Sequence, residues 1–167
     1  MRKMVGAVLL AIGVLLSSGC ATPPNAAFIV DGAITTGDEI EDLVQACARA
    51  FQQDPHTLRS QVVSYVLEGR IAAQIMVEQD IKYSDTEREE ILRSTSVGNT
   101  LLRDPACQQV GYGVADYALL LNQLGMEAFI AAQEKVEIVL NPRYGYWDDT
   151  AAVAVGNGSL SEAAAVK

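Results

Sequence analysis

Three cysteines and one histidine are the side chains of this chain with the most reactive chemistry. A cysteine thiolate can accept an acyl group or attack a carbonyl, and histidine is a usual base beside such a nucleophile. The single histidine, His56, directly follows Pro55 near a predicted helix start and has no obvious partner in the sequence. The sequence contains no CxxC pair and no serine-hydrolase, zinc-protease or phosphate-loop motif. It therefore predicts no catalytic residue, no metal site and no cofactor, and the cysteines remain as the chemically interesting positions.

Cys20 follows a segment with the anatomy of an export signal. Arg2 and Lys3 precede an uncharged apolar run at residues 4–16, which is shorter than the roughly 20 residues that a membrane-spanning helix needs. The small residues 17–19 then lead to the cysteine. This arrangement resembles the bacterial lipoprotein signal. The resemblance implies a signal peptide at 1–19, cleavage before Cys20 and lipidation of its thiol.

The charge of the chain limits its partners. The net charge is −9, and removal of the two cations of the signal leaves −11. An acidic chain repels the phosphate backbone, so we exclude nucleic acid as a partner. It also repels anionic lipid headgroups, so we expect the lipid on Cys20 to hold the protein at the outer, extracytoplasmic face of the cell membrane. An uncleaved N-terminal anchor, or an ordinary signal cut near Ala21, is the alternative.

Cys47 and Cys107 are the two cysteines left if Cys20 carries lipid. An oxidising envelope compartment permits a disulfide between them. The bond would close a loop of roughly 60 residues and contribute about 3–4 kcal/mol in the chain-entropy model. Two buried free thiols in separate helices are the alternative, since cysteine is common in protein cores.

Helix signals occupy the middle of the chain. Capping-box spacings, in which Ser or Thr is followed three residues later by Glu, occur at Thr36 and Ser84. Asp54-Pro55 ends one predicted helix and begins the next, the strongest in the chain, which runs from 57 to about 80. Gly69 inside that helix costs about 1 kcal/mol relative to alanine unless something packs closely there. Further helices are predicted at about residues 88–94, 114–124 and 126–135.

Short strands are predicted at both ends of this helical segment. Residues 27–30 form an apolar run that ends in the turn Asp31-Gly32, and residues 136–140 are rich in β-branched side chains. Residues 20–26 contain two prolines and are expected to form an extended tether. Residues from 148 onward show no packing pattern, so we expect a flexible tail at 148–167.

The motifs FIVDG at 28–32, TGDEI at 36–40 and, after the long helix, DIKYSDTE at 80–87 accompany an order of strand, turn, capped helix and long helix. This order and these motifs resemble the N-terminal chaperone domain of SurA-type periplasmic folding factors. The late segment VEIVLNPRYGYW at 136–147 is similar to the closing strand of actinobacterial lipoproteins with this domain.

The resemblance covers residues 27–147 and implies a mainly α fold. The fold expected is a helical bundle with a small two-stranded β-sheet that pairs the strand near Ile29 with the strand near Ile138. Family members usually carry parvulin domains after this region, and the residues from 148 onward are too few for one. Prolyl isomerase activity is therefore not carried over, and the chain is expected not to be an enzyme.

The resemblance implies a chaperone-like domain that binds unfolded or extended exported polypeptides, here called clients. A lipoprotein that holds one dedicated partner is the alternative. The acidic run at 38–42 favours a helix N-terminus, with a patch for cationic clients as the other interpretation. Apolar side chains that could line a client groove are Met76, Met126, Phe129, Ile130, Tyr144, Tyr146 and Trp147. For each of these side chains, packing in the core is the alternative.

Overall fold

The computed structural model describes residues 23–148 and 153–155. The predicted signal peptide and tether residues 20–22, with the lipidation site Cys20, lie outside the described residues, as does most of the predicted tail. Residues 23–26 of the predicted tether are described, and the last of them, Ala26, is not free tether because it begins a strand. What the structure describes is mainly helical with a small antiparallel sheet, as the sequence predicts. No helix within the described ranges is both long and apolar enough to cross a membrane.

Six helices form the body of the described part of the chain. The long helices α2 and α5 pack against each other at its centre, and α1 and α3 pack on them. Their bounds are α1 Gly37–Phe51, α2 Pro55–Gln79, α3 Asp85–Arg93, α4 Ser96–Leu101, α5 Pro105–Leu124 and α6 Met126–Gln133.

Side-chain caps start most of these helices where the sequence predicts them. The Thr36 hydroxyl accepts a hydrogen bond from the Glu39 amide at the start of α1. Ser84 and Glu87 form a complete, reciprocal capping box at the start of α3. Asp54 caps α2 through the His56 amide, with Pro55 in the first turn. These caps satisfy amide groups that a helix leaves without a partner in its first turn.

A three-stranded antiparallel sheet closes one side of the bundle. Its strands are β1 Ala26–Val30, β2 Ala33–Thr36 and β3 Ile138–Leu140, in the order β2-β1-β3. The predicted pairing of the two ends of the domain is confirmed, since Ile29 faces Val139. The expected sheet of two strands gains β2 as a third, because Asp31 and Gly32 adopt positive φ angles of 44° and 79° and turn the chain back within two residues.

Backbone and side-chain hydrogen bonds fasten the C-terminal segment to the N-terminal strand. The Asn141 amide donates to the Ala27 carbonyl, and the Asn141 side-chain amide donates to the Ala26 carbonyl. At the other end of β3, Asp31 and Glu137 exchange hydrogen bonds in both directions. We call these two sets of contacts the terminal clasp. The clasp fixes the register of β3 on β1.

A second, two-stranded sheet lies in the region expected to be a flexible tail. β4 Tyr146–Asp148 pairs antiparallel with β5 Val153–Val155. The prediction of a structureless tail from residue 148 is therefore wrong at Val153–Val155, where a β-branched residue stands on either side of Ala154. Three residues were too short a pattern to identify as a strand.

The core lies between the helices and the inner face of the first sheet. Phe28 and Val30 of β1 are buried against it, together with aliphatic side chains of α1, α2 and α5. Cys47 on α1 and Cys107 on α5 are joined by a disulfide, with their Cα atoms 4.8 Å apart. Both cysteines are fully buried, so the bond is an internal link between the two helices. The free-thiol alternative does not describe this structure.

Candidate functional site

Two glycines allow α2 and α5 to cross at unusually short range. A Cβ atom on Gly69 would lie 2.7 Å from the Cα atom of Gly113, and one on Gly113 would lie 2.8 Å from Gly69. No side chain fits at either position without movement of a backbone, so the close approach explains why a glycine is placed inside α2. Gly69 therefore has the close packing that, from the sequence, is needed to offset its cost of about 1 kcal/mol relative to alanine. The crossing also leaves a groove above the two glycines, flanked by neighbouring helices.

This groove, which we call the crossing groove, has a volume of about 360 Å³ and is open to solvent on one side. Gly69 and Gly113 lie in its lining, and α1 and α3 supply its walls. Its other lining residues are Glu39 and Leu43 of α1, Tyr65, Val66, Arg70 and Ala73 of α2, Arg88 of α3, and Gln109, Val110, Tyr112 and Asp116 of α5.

One wall of the crossing groove is held by the ion pair of Arg88 with Asp116. The guanidinium donates to both carboxylate oxygens, from Nε at 2.7 Å and from Nη2 at 3.2 Å. A third nitrogen, Nη1, donates to Asp85 at 3.0 Å. These hydrogen bonds with Asp116 raise the pKa of Arg88 above its ordinary value. Such a two-pronged pair fixes the guanidinium plane and so the packing of α3 on α5.

Tyr112 extends this network along the same wall. The Arg88 guanidinium carbon lies 5.6 Å from the centre of the Tyr112 ring, which is within the range of a cation–π contact. The Tyr112 hydroxyl donates to Glu89 at 3.2 Å and accepts from the Gln108 amide at 3.0 Å. Desolvation, and then the nearby carboxylates, raise the pKa of Tyr112, so this phenol stays protonated at neutral pH.

The opposite wall carries a looser ion pair between Arg70 and Glu39. The Arg70 guanidinium donates to Glu39 at 2.7 Å, and both side chains are partly exposed. Glu39 therefore does not close the capping box that its spacing from Thr36 allows, because its carboxylate turns to Arg70 instead. A partly exposed pair of this kind contributes little to stability, so its groups can exchange partners with a bound molecule at low cost.

The crossing groove is lined by charged, tyrosine and aliphatic side chains. Its cations are paired with carboxylates, and its polar groups are tyrosine hydroxyls and amides without a neighbouring nucleophile. His56 is exposed in the first turn of α2 and does not line the groove. Within the described residues, no cluster of three histidine, cysteine or acidic side chains could hold a metal ion. Aromatic and aliphatic side chains with a small number of polar groups are typical of ligand-binding pockets.

None of the seven side chains that the sequence predicts as possible client contacts lines the crossing groove. Met76 and Phe129 belong to the core, where the Phe129 ring meets Tyr117 edge-on at 4.7 Å. Met76 is 9% exposed and Phe129 is 2% exposed, so little of either side chain is accessible in this structure. Tyr144 and Trp147 are half-buried and pack against the core.

The other three nominated side chains are exposed. Met126 and Ile130 lie one turn apart on α6, and 62% of Met126 is accessible to solvent. Tyr146 is exposed on β4. The two α6 side chains form a small apolar surface that we call the α6 patch. A methionine next to a branched aliphatic residue can adapt its shape to different partners.

Sequence reasoning missed the lining of the crossing groove because its residues come from four helices. Taken one at a time, these residues look like ordinary members of exposed helix faces; examples are Tyr65, Arg70, Arg88 and Tyr112. The signal that could have located them is the glycine pattern, since Gly69 and the pair Gly111 and Gly113 stand inside the two longest helices. Interior glycines indicate close helix packing, and a groove forms where the helices then diverge.

Comparison with known proteins places this chain beside a class of chaperones. Proteins named chaperone SurA from Escherichia coli, Shigella flexneri and Shigella sonnei are each 23% identical to it over 140 residues. The alignment covers 78% of this chain and 33% of each relative, so the chain spans about a third of the length of these proteins. No family model matches the chain, and no solved structure matches it.

Proposed function

We propose that this protein is a lipid-anchored chaperone-like lipoprotein that binds unfolded or extended exported polypeptides at the extracytoplasmic face of the cell membrane. The observation that carries the proposal is the similarity to SurA chaperones over 78% of the chain. The anchor is argued from the sequence around Cys20, and the client surfaces from the crossing groove and the α6 patch. A binding role without catalysis agrees with the chemistry of the groove.

The crossing groove and the α6 patch offer clients two kinds of contact. In the groove, Tyr65 and Tyr112 provide flat rings, and Arg70 and Glu39 provide hydrogen-bonding groups that can exchange partners. The α6 patch provides apolar contact without a fixed geometry. A segment from an unfolded protein presents both backbone amides and apolar side chains, so it can use both surfaces.

Suppression of aggregation tests this proposal. The full chain, purified in detergent, is added to two unrelated aggregating proteins, reduced lysozyme and heat-unfolded citrate synthase, and light scattering is followed. We expect both to aggregate more slowly, and we expect the double variant Met126→Ser with Ile130→Ser to protect several-fold less. Val77→Ser is the matched control, because Val77 is 76% exposed on α2 and lies outside the crossing groove. No protection of either protein by the wild type would overturn the proposal.

A lipoprotein that holds one dedicated partner is the second candidate function. The observation that favours it is the ion-paired wall of the crossing groove, in which Arg88 is fixed by Asp116, Asp85 and Tyr112. A fixed polar wall selects for one complementary shape more than for many. Pull-down from an envelope extract separates the two functions, since one stoichiometric partner without protection of unrelated proteins supports the second.

A further inference from the structure

The outer edge of β2 is open in the described part of the chain. β2 pairs with β1 on one side, and no described strand pairs with its other side. Neither β2 nor β3, the two edge strands, contains a charged residue or a proline. Natural proteins commonly protect an edge with such residues, because an unprotected edge accepts a further strand. At the edge of β2, the short length of the strand is the feature that limits the addition of a further strand.

The turn geometry determines which backbone groups face outward from this edge. Val30 and Ala33 flank the two-residue turn and form the hydrogen-bonded pair that closes it. The next pair, Ile29 and Ile34, is then a non-hydrogen-bonded pair, so the amide and carbonyl of Ile34 point away from β1. The other side of β1 shows the matching alternation, because Ala27 and Asp31 bond to the segment that holds β3.

An apolar row of side chains crosses the outer face of the sheet beside this edge. Ile34, Ile29 and Val139 stand in register on the three strands. Ile34 is 47% exposed and Val139 is also exposed, although a sheet face turned to solvent normally carries polar side chains. A strand added beside Ile34 would extend the row and cover its open end.

Acidic residues stand at both ends of β2. Asp31 is in the turn before it and Asp38 is in the first turn of α1 after it, and both are exposed. Neither carboxylate takes part in an ion pair with another described residue, and that of Asp31 accepts the Glu137 amide hydrogen bond of the terminal clasp. This charge favours a partner with basic residues and, together with the net charge of −9, disfavours a second copy of the same chain.

We propose that the outer edge of β2 binds an extended client segment, apolar at its centre and basic at its ends, as a fourth strand of the sheet. The Ile34 amide and carbonyl supply the backbone hydrogen bonds, the apolar row supplies the side-chain contact, and Asp31 and Asp38 attract the basic ends. Strand addition to an open edge is an established mode of peptide recognition. This inference rests on the proposed function and specifies one place where a client is held.

Peptide binding combined with hydrogen exchange tests the inference on the full chain in detergent. The probe is the peptide Lys-Val-Thr-Val-Thr-Val-Lys, compared with the same peptide N-methylated at every central residue and with one that carries Glu at both ends. We expect the first peptide to slow exchange of the Ile34 amide. We expect the N-methylated peptide to bind at least about tenfold more weakly, because its backbone donors are lost. The Glu-ended peptide should also bind more weakly.

Protein variants give the matched comparison. Ile34→Lys replaces an exposed side chain, leaves the backbone in place and repels the basic peptide, so binding should fall about tenfold with an unchanged melting temperature. Val77→Lys adds the same charge at an exposed position of α2 and should bind as the wild type does. Equal binding by Ile34→Lys and Val77→Lys would overturn the inference.

The remaining outcomes separate this inference from the proposed function. Protection of unfolded clients without slower exchange at Ile34 overturns the strand addition and leaves the proposed function standing. A wild type that neither protects clients nor binds any of the peptides overturns both. Slower exchange at Ile34 that follows protein concentration in the absence of peptide assigns the edge to a second copy and overturns the inference.

Discussion

Glu68 on α2 is a half-buried acidic side chain. Desolvation raises its pKa to about 7. Tyr117 on α5 is affected in turn, because desolvation and then the charge of Glu68 raise the pKa of that phenol. The Tyr117 ring packs on Phe129 of α6, so the ionisation of Glu68 takes place beside the packing of three helices.

Replacement of Glu68 by Gln should remove a pH dependence of stability. The folded-state pKa of about 7 lies above the ordinary glutamate pKa of 4.5, so the stability linked to the protonated form is complete below about pH 4.5 and is lost as pH rises through 7. We expect wild type to lose about 1–3 kcal/mol from this group between pH 5 and 8, and Glu68→Gln to lose less and to be more stable at pH 8. Denaturant unfolding at several pH values measures the difference.

Glu90→Gln is the control for this prediction, because Glu90 is exposed on α3. The stability of Glu90→Gln should depend on pH as that of the wild type does. If the free energy of unfolding changed by the same amount between pH 5 and 8 in Glu68→Gln and in the wild type, the carboxyl of Glu68 would titrate as it does in water, and the prediction would be wrong.

At the scale of elements, the crossing of α2 and α5 determines the shape of the bundle. Gly113→Ala should destabilise the protein by about 1–3 kcal/mol, because the new methyl group would meet the Gly69 backbone at 2.8 Å. This strain exceeds the gain of about 1 kcal/mol in helix propensity that alanine brings. Thermal or denaturant unfolding measures the change. Ser60→Ala, at an exposed position of α2, is the control for propensity alone, and stabilisation of Gly113→Ala would contradict the close crossing.

Elements with local signals could be predicted from the sequence, and those made by distant partners could not. Thr36, Ser84 and Asp54-Pro55 mark helix starts by chemistry within three residues, and the structure confirms these starts. β2 was missed as a partner of β1, although the turn residues stand between them. The crossing groove depends on how four helices meet, and no periodicity in one helix encodes that arrangement. The exposure of Met126 beside the burial of Phe129 likewise depends on where α6 docks.

At the scale of the whole molecule, one covalent link joins two parts of the bundle that are far apart in sequence. The disulfide connects α1 to α5 across 60 residues. Cys47→Ala with Cys107→Ala, or reduction of the wild type, should lower the free energy of unfolding by about 3–4 kcal/mol in the chain-entropy model. Denaturant unfolding in the presence and absence of reductant measures this loss. A wild type whose midpoint does not respond to complete reduction would show that the link is energetically neutral.

The proposed anchor also concerns the whole molecule, since it determines where the protein works. Cys20→Ser should move the protein from the membrane fraction to a secreted or soluble one, because the acceptor of the lipid is lost. Fractionation and immunoblotting measure the shift, and Cys107→Ala serves as a cysteine control that should stay at the membrane. Retention of Cys20→Ser in the membrane would favour an uncleaved N-terminal anchor.

The terminal clasp has a consequence for the order in which the chain folds. β1 and β3 are more than 100 residues apart, and the Asn141 hydrogen bonds to Ala26 and Ala27 cannot form until both segments are present. A chain that is delivered from its N-terminus can form the β1–β2 hairpin early and must wait for residue 141 to complete the sheet. Truncation before residue 138 should therefore leave helices with an incomplete sheet and a chain that proteases cut readily. Because of the clasp, we expect the sheet to be complete only after nearly the entire domain has been delivered.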